Sequence, residues 1–162
     1  MLVTFIQLAI LLVLVVIILT VGVAFIPKIA VLSAPQDIKE KILERPDYPK
    51  WKTILGIILL IGLFLAVLGI FIWAGVDAKN NNYSFGLILL RYLILLEGYK
   101  IFDMVCFDWL LLTKLNIFQK FFPETIGCKG YEKYGFNLKS QIVKIIIFAI
   151  ISLIIAFCLT IK

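Results

Sequence analysis

The chain has 162 residues, 63% of them hydrophobic and 16% charged, with a mean hydropathy of +1.10; soluble domains are roughly 45–50% apolar and about 25% charged, so a water-soluble globule is excluded. It contains no histidine, which removes the commonest general base, the commonest zinc ligand and the usual pH switch near neutrality. The net charge of +6 comes largely from two connecting segments beside apolar runs, where it reads as membrane orientation and anionic headgroups and not as a nucleic-acid surface.

In chain order, four apolar runs of membrane-crossing length stand out, at 2–26, 53–76, 85–113 and 140–161, since a bilayer core needs about 20 helical residues. The first is interrupted only by Thr4, Gln7, Thr20 and Gly22 and is stopped by Pro27. No basic residue precedes Lys28, so it reads as a retained span and not a signal peptide. The connector after it, Ser33 to Pro46, predicts a short helix with Ser33 as cap, Pro35 in the first turn and Ile38 and Ile42 on one face. That pattern suits a helix lying along the headgroup layer, with Trp51 marking the interface before the second span. The link Asp77 to Ser84 is short and turn-rich, so the second and third spans are expected to be antiparallel neighbours. The third connector, Lys114 to Lys139, interleaves lysines with aromatic residues and is expected to follow the membrane surface.

Six basic residues fall in the first connector (Lys28, Lys39, Lys41, Arg45, Lys50, Lys52) and five in the third (Lys114, Lys120, Lys129, Lys133, Lys139), against Lys79 alone in the second. The positive-inside bias therefore puts both long connectors in the cytoplasm and both termini outside. Three cysteines, Cys106, Cys128 and Cys158, form no CxxC pattern and indicate neither a disulfide framework nor a metal site. Of these, Cys128 is the one expected to meet water.

The third run is unlike the others because it carries Arg91, Glu97, Lys100, Asp103 and Asp108. A charge near the bilayer centre costs about 2.5–3.5 kcal/mol on insertion scales, so this helix is expected at the centre of the bundle. On an α-helix at about 100° per residue, Asp108 falls within about 20° of Glu97, while Asp103 lies about 120° round. Glu97 and Lys100 have the i,i+3 spacing of a helical ion pair. Arg91 is expected to pair with Asp77, and Lys144 with Asp103 or Asp108, unless the basic chains snorkel to the headgroups. The group as a whole admits three readings: structural ion pairs, an ion or ligand path through Glu97, Lys100, Asp103 and Asp108, or catalysis by paired carboxylates. No nucleophile with a matched base, phosphate loop or metal motif is present, so no catalytic residue, metal or cofactor is assigned. Gly62, Ala66 and Gly69, and Ser152 with Ala156, are small-residue patches for close helix approach within or between chains.

The segment Phe107-Asp-Trp-Leu110, followed by Pro123-Glu-Thr125 and by Gly130 to Lys139, resembles uncharacterised four-span membrane proteins of bacteria and archaea. In those, an Ile-Asp-Trp-Leu type motif closes the third helix, and a Pro-Gly-Thr-Glu and Lys-Asp-Tyr-x-Phe-His type loop leads into the fourth. This chain lacks the glycine after Pro123 and has Asn137 where the histidine would fall. The resemblance covers about a third of the chain, implies architecture and no activity, and singles out Asp108, Trp109, Pro123, Glu124 and Tyr134.

These readings converge on a single all-α domain over residues 1–162. It is a polytopic four-helix membrane bundle, N-out and C-out, with an interfacial amphipathic helix in the first cytoplasmic connector. The expected setting is a prokaryotic cytoplasmic membrane, with membrane lipids and a second copy or another membrane protein as partners and no nucleic acid. The favoured function is a non-enzymatic binding or assembly component. The alternatives are a homo-oligomeric channel or transporter using Glu97 and Lys100, and a lipid-acting enzyme in which Asp108 and Glu124 share a pocket.

Overall fold

An unbroken apolar run in lipid must satisfy its backbone internally, which forces a helix even on sequences rich in β-branched residues. In the computed structural model, which describes residues 1–161, no strand occurs among those residues and three helices are long and apolar enough to cross a membrane. They are α1 (Leu2–Phe25), α4 (Lys50–Asn80) and α7 (Leu138–Thr160). Between them lie α2 (Pro27–Ala30), α3 (Gln36–Leu43), α5 (Phe85–Phe102) and α6 (Ile117–Phe121), and α5 continues without a break into a π-helix, Asp103–Lys114. In each of the three apolar helices only 11% of the most hydrophobic stretch is buried, so most of its aliphatic side chains face outward, as a lipid solvent permits.

The helix α5 occupies the middle, packed most extensively against α7 and also against α1, while α4 lies along α1. At one end Ala74 and Ala78 of α4, Ile88, Tyr92 and Leu95 of α5 and Ala156 of α7 form a buried cluster. Ser152 and Ala156 are fully buried there, whereas Gly62 and Gly69 of α4 face open space. Of the two small-residue patches, the one on α7 is therefore used within the chain. At the other end of the molecule α1 and α4 touch where Gly56 meets Phe25; a Cβ on Gly56 would lie 2.5 Å from Phe25 Cβ.

The helix α4 begins directly after Pro49 and runs past the apolar stretch to Asn80, about a turn beyond the expected span at each end. Hydropathy falls at Asp77, but helical hydrogen bonding continues until Asn82 takes up a left-handed φ of 51°. The helix α3 starts at Gln36 with Pro35 as its N-cap residue, two positions later than a Ser33 cap would give. Pro35 accounts for the shift, since a proline disfavours helical backbone at the residue before it; inside the first turn the Asp37 carboxylate accepts from its neighbour Ile38 N at 3.0 Å and from Gly130 N at 2.8 Å.

The two long connectors pack on each other as a cap. Ile38 and Ile42 are fully buried with Val31, Leu112, Phe118, Phe122 and Tyr131. The apolar face expected to meet the headgroups is thus consumed inside the protein, where burying each isoleucine stabilises the cap by about 2 kcal/mol. The aromatic residues of the third connector divide in the same way: Phe118, Phe122 and Tyr131 are buried, while Phe121 and Tyr134 are exposed. Tyr131 and Thr125 hydroxyls bond at 2.7 Å, and Arg45 reaches Glu124 at 3.3 Å. Cys128 is half-buried with its thiol 3.7 Å from the Asp37 carbonyl, and Cys158 is the exposed thiol, within the apolar run of α7. Burial, with the nearby Asp37 carboxylate, pushes the Cys128 thiol up from its ordinary value.

Gly130 is required by close approach, because a Cβ there would lie 2.5 Å from both Asp37 Oδ1 and Pro35 Cβ. Gly130→Ala is expected to part the connectors at a cost of about 1–3 kcal/mol. Limited proteolysis in detergent should then cut within 28–49 and 115–137 faster than in the unmodified protein. Unchanged cleavage rates would show that the cap does not depend on this contact.

Candidate polar site along the third charged helix

Hydrophobic burial places α5 at the centre, and its polar residues segregate into two groups. In the first, Arg91 is 1% exposed and reaches two other helices. Its Nη1 donates to Asp77 Oδ2 on α4 at 2.5 Å, and its Nη2 donates to Gln7 Oε1 on α1 at 2.8 Å. The guanidinium also stands 5.7 Å from the centre of the Tyr83 ring, within cation–π range. Asn81 donates to Asp77 Oδ1 at 3.2 Å, and Tyr92 donates to the Phe71 carbonyl at 2.9 Å. One arginine therefore joins α1, α4 and α5 through charge-assisted hydrogen bonds. Gln7 was legible only as a lone amide in an otherwise aliphatic run.

The second group sits where α5 becomes the π-helix. Lys100, buried, donates to Asp103 and not to Glu97. Both acids are three residues from Lys100, but Asp103 lies toward the connector end. There the other polar groups gather, and a lysine extending that way keeps its stem against apolar neighbours. Asp108 Oδ2 accepts from Asn137 Nδ2 at 2.9 Å and Gln141 Nε2 at 2.6 Å. Lys144 is exposed and has no carboxylate within salt-bridge distance among the described residues. The expected tie between the last two helices is made instead by the two amides. Asp108 and Asn137, which belong to the separate segments that carry the sequence resemblance, meet here.

The π-helix also changes the angular relation of the acids. Its bonds run from i to i+5, as Leu115 N to the Leu110 carbonyl at 2.9 Å shows. Residues five apart thus lie nearly above one another. Asp103 and Asp108 consequently line one small cavity of about 80 Å³ with Ser33, Phe107 and Phe136. The α-helical wheel that grouped Asp108 with Glu97 does not hold past Phe102. The segment ends at Asn116, which adopts a left-handed φ of 47°.

Glu97 stands apart from both groups. Its two carboxylate oxygens are buried and have no hydrogen-bond partner among the described residues. It shares a face of α5 with Leu90 and Ile101, which are 47% and 53% exposed, but its own carboxylate is enclosed. On the buried side, Leu95 and Leu96 separate the Arg91 group from the Lys100 group.

The remaining sequence candidates are dispersed. Asp108 faces Asn137 and Gln141, whereas Glu124 faces Arg45. Pro123 opens a short 3₁₀ turn, and Trp109 and Tyr134 are exposed. No group of three or more acidic or cysteine side chains suited to holding a metal ion occurs among the described residues. No protein-family model, curated protein or solved structure matches the chain.

Proposed function

We propose that the chain is a four-span integral membrane protein and a non-enzymatic assembly component, whose third span presents Glu97 to a second copy of the same chain. In this reading α5 and the π-helix together make the remaining span, 30 residues from Phe85 to Lys114. Neutralisation of Arg91 by Asp77, and of Lys100 by Asp103, supports its passage through the bilayer. The packing of both long connectors into one cap supports a common side for them. Their eleven basic residues favour the cytoplasm, in a prokaryotic membrane.

The observation that carries the assembly reading is the carboxylate of Glu97, buried without a hydrogen-bond partner among the described residues and flanked on its helix face by the exposed Leu90 and Ile101. Such a group at membrane depth is stabilised when its side chain turns outward to a hydrogen-bonding group on a neighbouring helix, and polar contacts of this kind hold membrane helices together. In a symmetric pair the partner's carboxyl can share its proton with it. The apolar step of Leu95 and Leu96 between the two polar groups favours this over flux through a single chain.

The test is the subunit count from mild detergent by native mass spectrometry, repeated by cross-linking in membranes. The unmodified chain and Glu97→Gln, which keeps a donor and an acceptor, should both give a defined oligomer. Glu97→Leu should shift the equilibrium toward monomer by about tenfold, from a membrane hydrogen bond of about 1–2 kcal/mol. A monomeric unmodified chain, or an oligomer indifferent to Glu97→Leu, would overturn the reading.

A further inference from the structure

Two adjoining cavities at the connector end of α1 share Tyr48, and both are lined mainly by apolar side chains. One, of about 250 Å³, is apolar, lined by Leu19 and Val23 of α1, Leu111 of the π-helix and Ile117 and Phe121 of α6. The other, of about 150 Å³, lies between the end of α1 and the start of α4; Phe25, Ile26 and Ile29 line it together with the cations Lys28 and Arg45 and the acid Asp47. Lys52 stands 4.1 Å from the centre of the Tyr48 ring and 5.9 Å from that of Phe25. Arg45 lies 5.7 Å from the Tyr48 ring centre and 5.6 Å from that of Phe122. Two cations, Arg45 and Lys52, thus stand over aromatic rings where two apolar helices end, and Lys28 lines the same cavity as Arg45.

Their charges are loosely compensated. Lys28 meets Asp47 at 2.6 Å, but the Asp47 side chain is 85% exposed and free to turn away. Arg45 meets Glu124 at 3.3 Å with both side chains about a third exposed. Lys52 has no carboxylate within salt-bridge distance among the described residues. Ion pairs this open contribute little, so a phosphate can replace them. The apolar cavity borders Leu19, Val23 and Ala24 in the last turns of the apolar helix α1.

We propose that this pair of cavities binds one anionic phospholipid, with its phosphate among Lys28, Arg45 and Lys52 and the start of an acyl chain between α1, the π-helix and α6. Tyr48 stands at the junction, where the glycerol would lie. A free anion would use only the three cations, and a neutral lipid only the apolar lining. A basic pocket between membrane helices is the kind of site that anionic headgroups occupy.

The test uses the full chain in mild detergent and native mass spectrometry with phosphatidylglycerol or phosphatidylcholine of identical acyl chains. One phosphatidylglycerol per protomer should be retained in preference to phosphatidylcholine, and inorganic phosphate at millimolar concentration should not displace it. Arg45→Gln and Lys52→Gln should each weaken retention about fivefold, the effect of one cation near a membrane surface. Lys129→Gln, which removes the same charge elsewhere on the cap, should change nothing. Val23→Phe, filling the apolar cavity, should reduce retention of both lipids. Glu124→Gln supplies the opposite sign: it frees Arg45 and should raise retention, whereas a purely structural Arg45–Glu124 contact would make it fall. Equal retention of the two lipids, displacement by phosphate alone, a fall with Glu124→Gln, or indifference to Arg45→Gln and Lys52→Gln would overturn the proposal.

Discussion

Asp77→Leu is expected to destabilise the protein by about 3–5 kcal/mol, and Arg91→Met by only about 2 kcal/mol, although the two remove opposite halves of one ion pair. The asymmetry follows from what each leaves behind. Without Asp77, a guanidinium 1% exposed keeps only the neutral Gln7 oxygen and the Tyr83 ring, and arginine cannot shed its charge by deprotonation. Without Arg91, the Asp77 side chain is 19% exposed at the end of α4 and still accepts from Asn81, so water can solvate it. The double variant should therefore cost less than the sum of the two, by a coupling of about 1–3 kcal/mol. Unfolding in mixed micelles with increasing anionic detergent, run on all four members of the cycle, measures this. Equal single costs or strict additivity would show that the pair does not hold α4 to α5.

How far the architecture could be read depended on whether a feature was local. Apolar run lengths located α1, stopped by Pro27, and the body of α4 but not its ends, and Asp77 and Arg91, fourteen residues apart across a short turn, could be matched because their connector left little choice. The α-helical wheel describes the backbone as far as Phe102, although the Glu97–Lys100 pair it allowed is not formed, and it fails beyond, since no spacing in Asp103–Lys114 announces a π-helix. That failure misplaced Asp103 relative to Asp108 and obscured their shared cavity. Contacts between the connectors were illegible for another reason. Asp37 and Gly130 are 93 positions apart, and the same composition that packs them into a cap also suits two separate interfacial segments. Gln141 was lost for a third reason: one amide at the start of an apolar run looks like a boundary residue until Asp108 is seen to accept from it at 2.6 Å.

Asp108→Asn should leave the protein folded, whereas Asp108→Leu should cost about 3 kcal/mol, because the position acts first as an acceptor. Its Oδ2 takes hydrogen bonds from both Asn137 and Gln141. Hydrogen bonds to a charged group contribute about 1.5–3 kcal/mol, and a buried donor left alone costs about 1–3 kcal/mol. Asparagine retains a carbonyl oxygen in the same place; leucine retains nothing and strands the Gln141 amide, which is 2% exposed. Gln141→Leu alone should cost about 2 kcal/mol. In the Asp108→Leu background it should cost nearly nothing, since the stranded donor is then removed as well. Hydrogen exchange over 103–114, measured with the unfolding midpoint, reports whether the loss is confined to the π-helix and the start of α7. If Asp108→Asn proved as damaging as Asp108→Leu, the negative charge and not the acceptor geometry would hold this junction. Lys100, which pairs with Asp103, would then be the cation to which that charge answers.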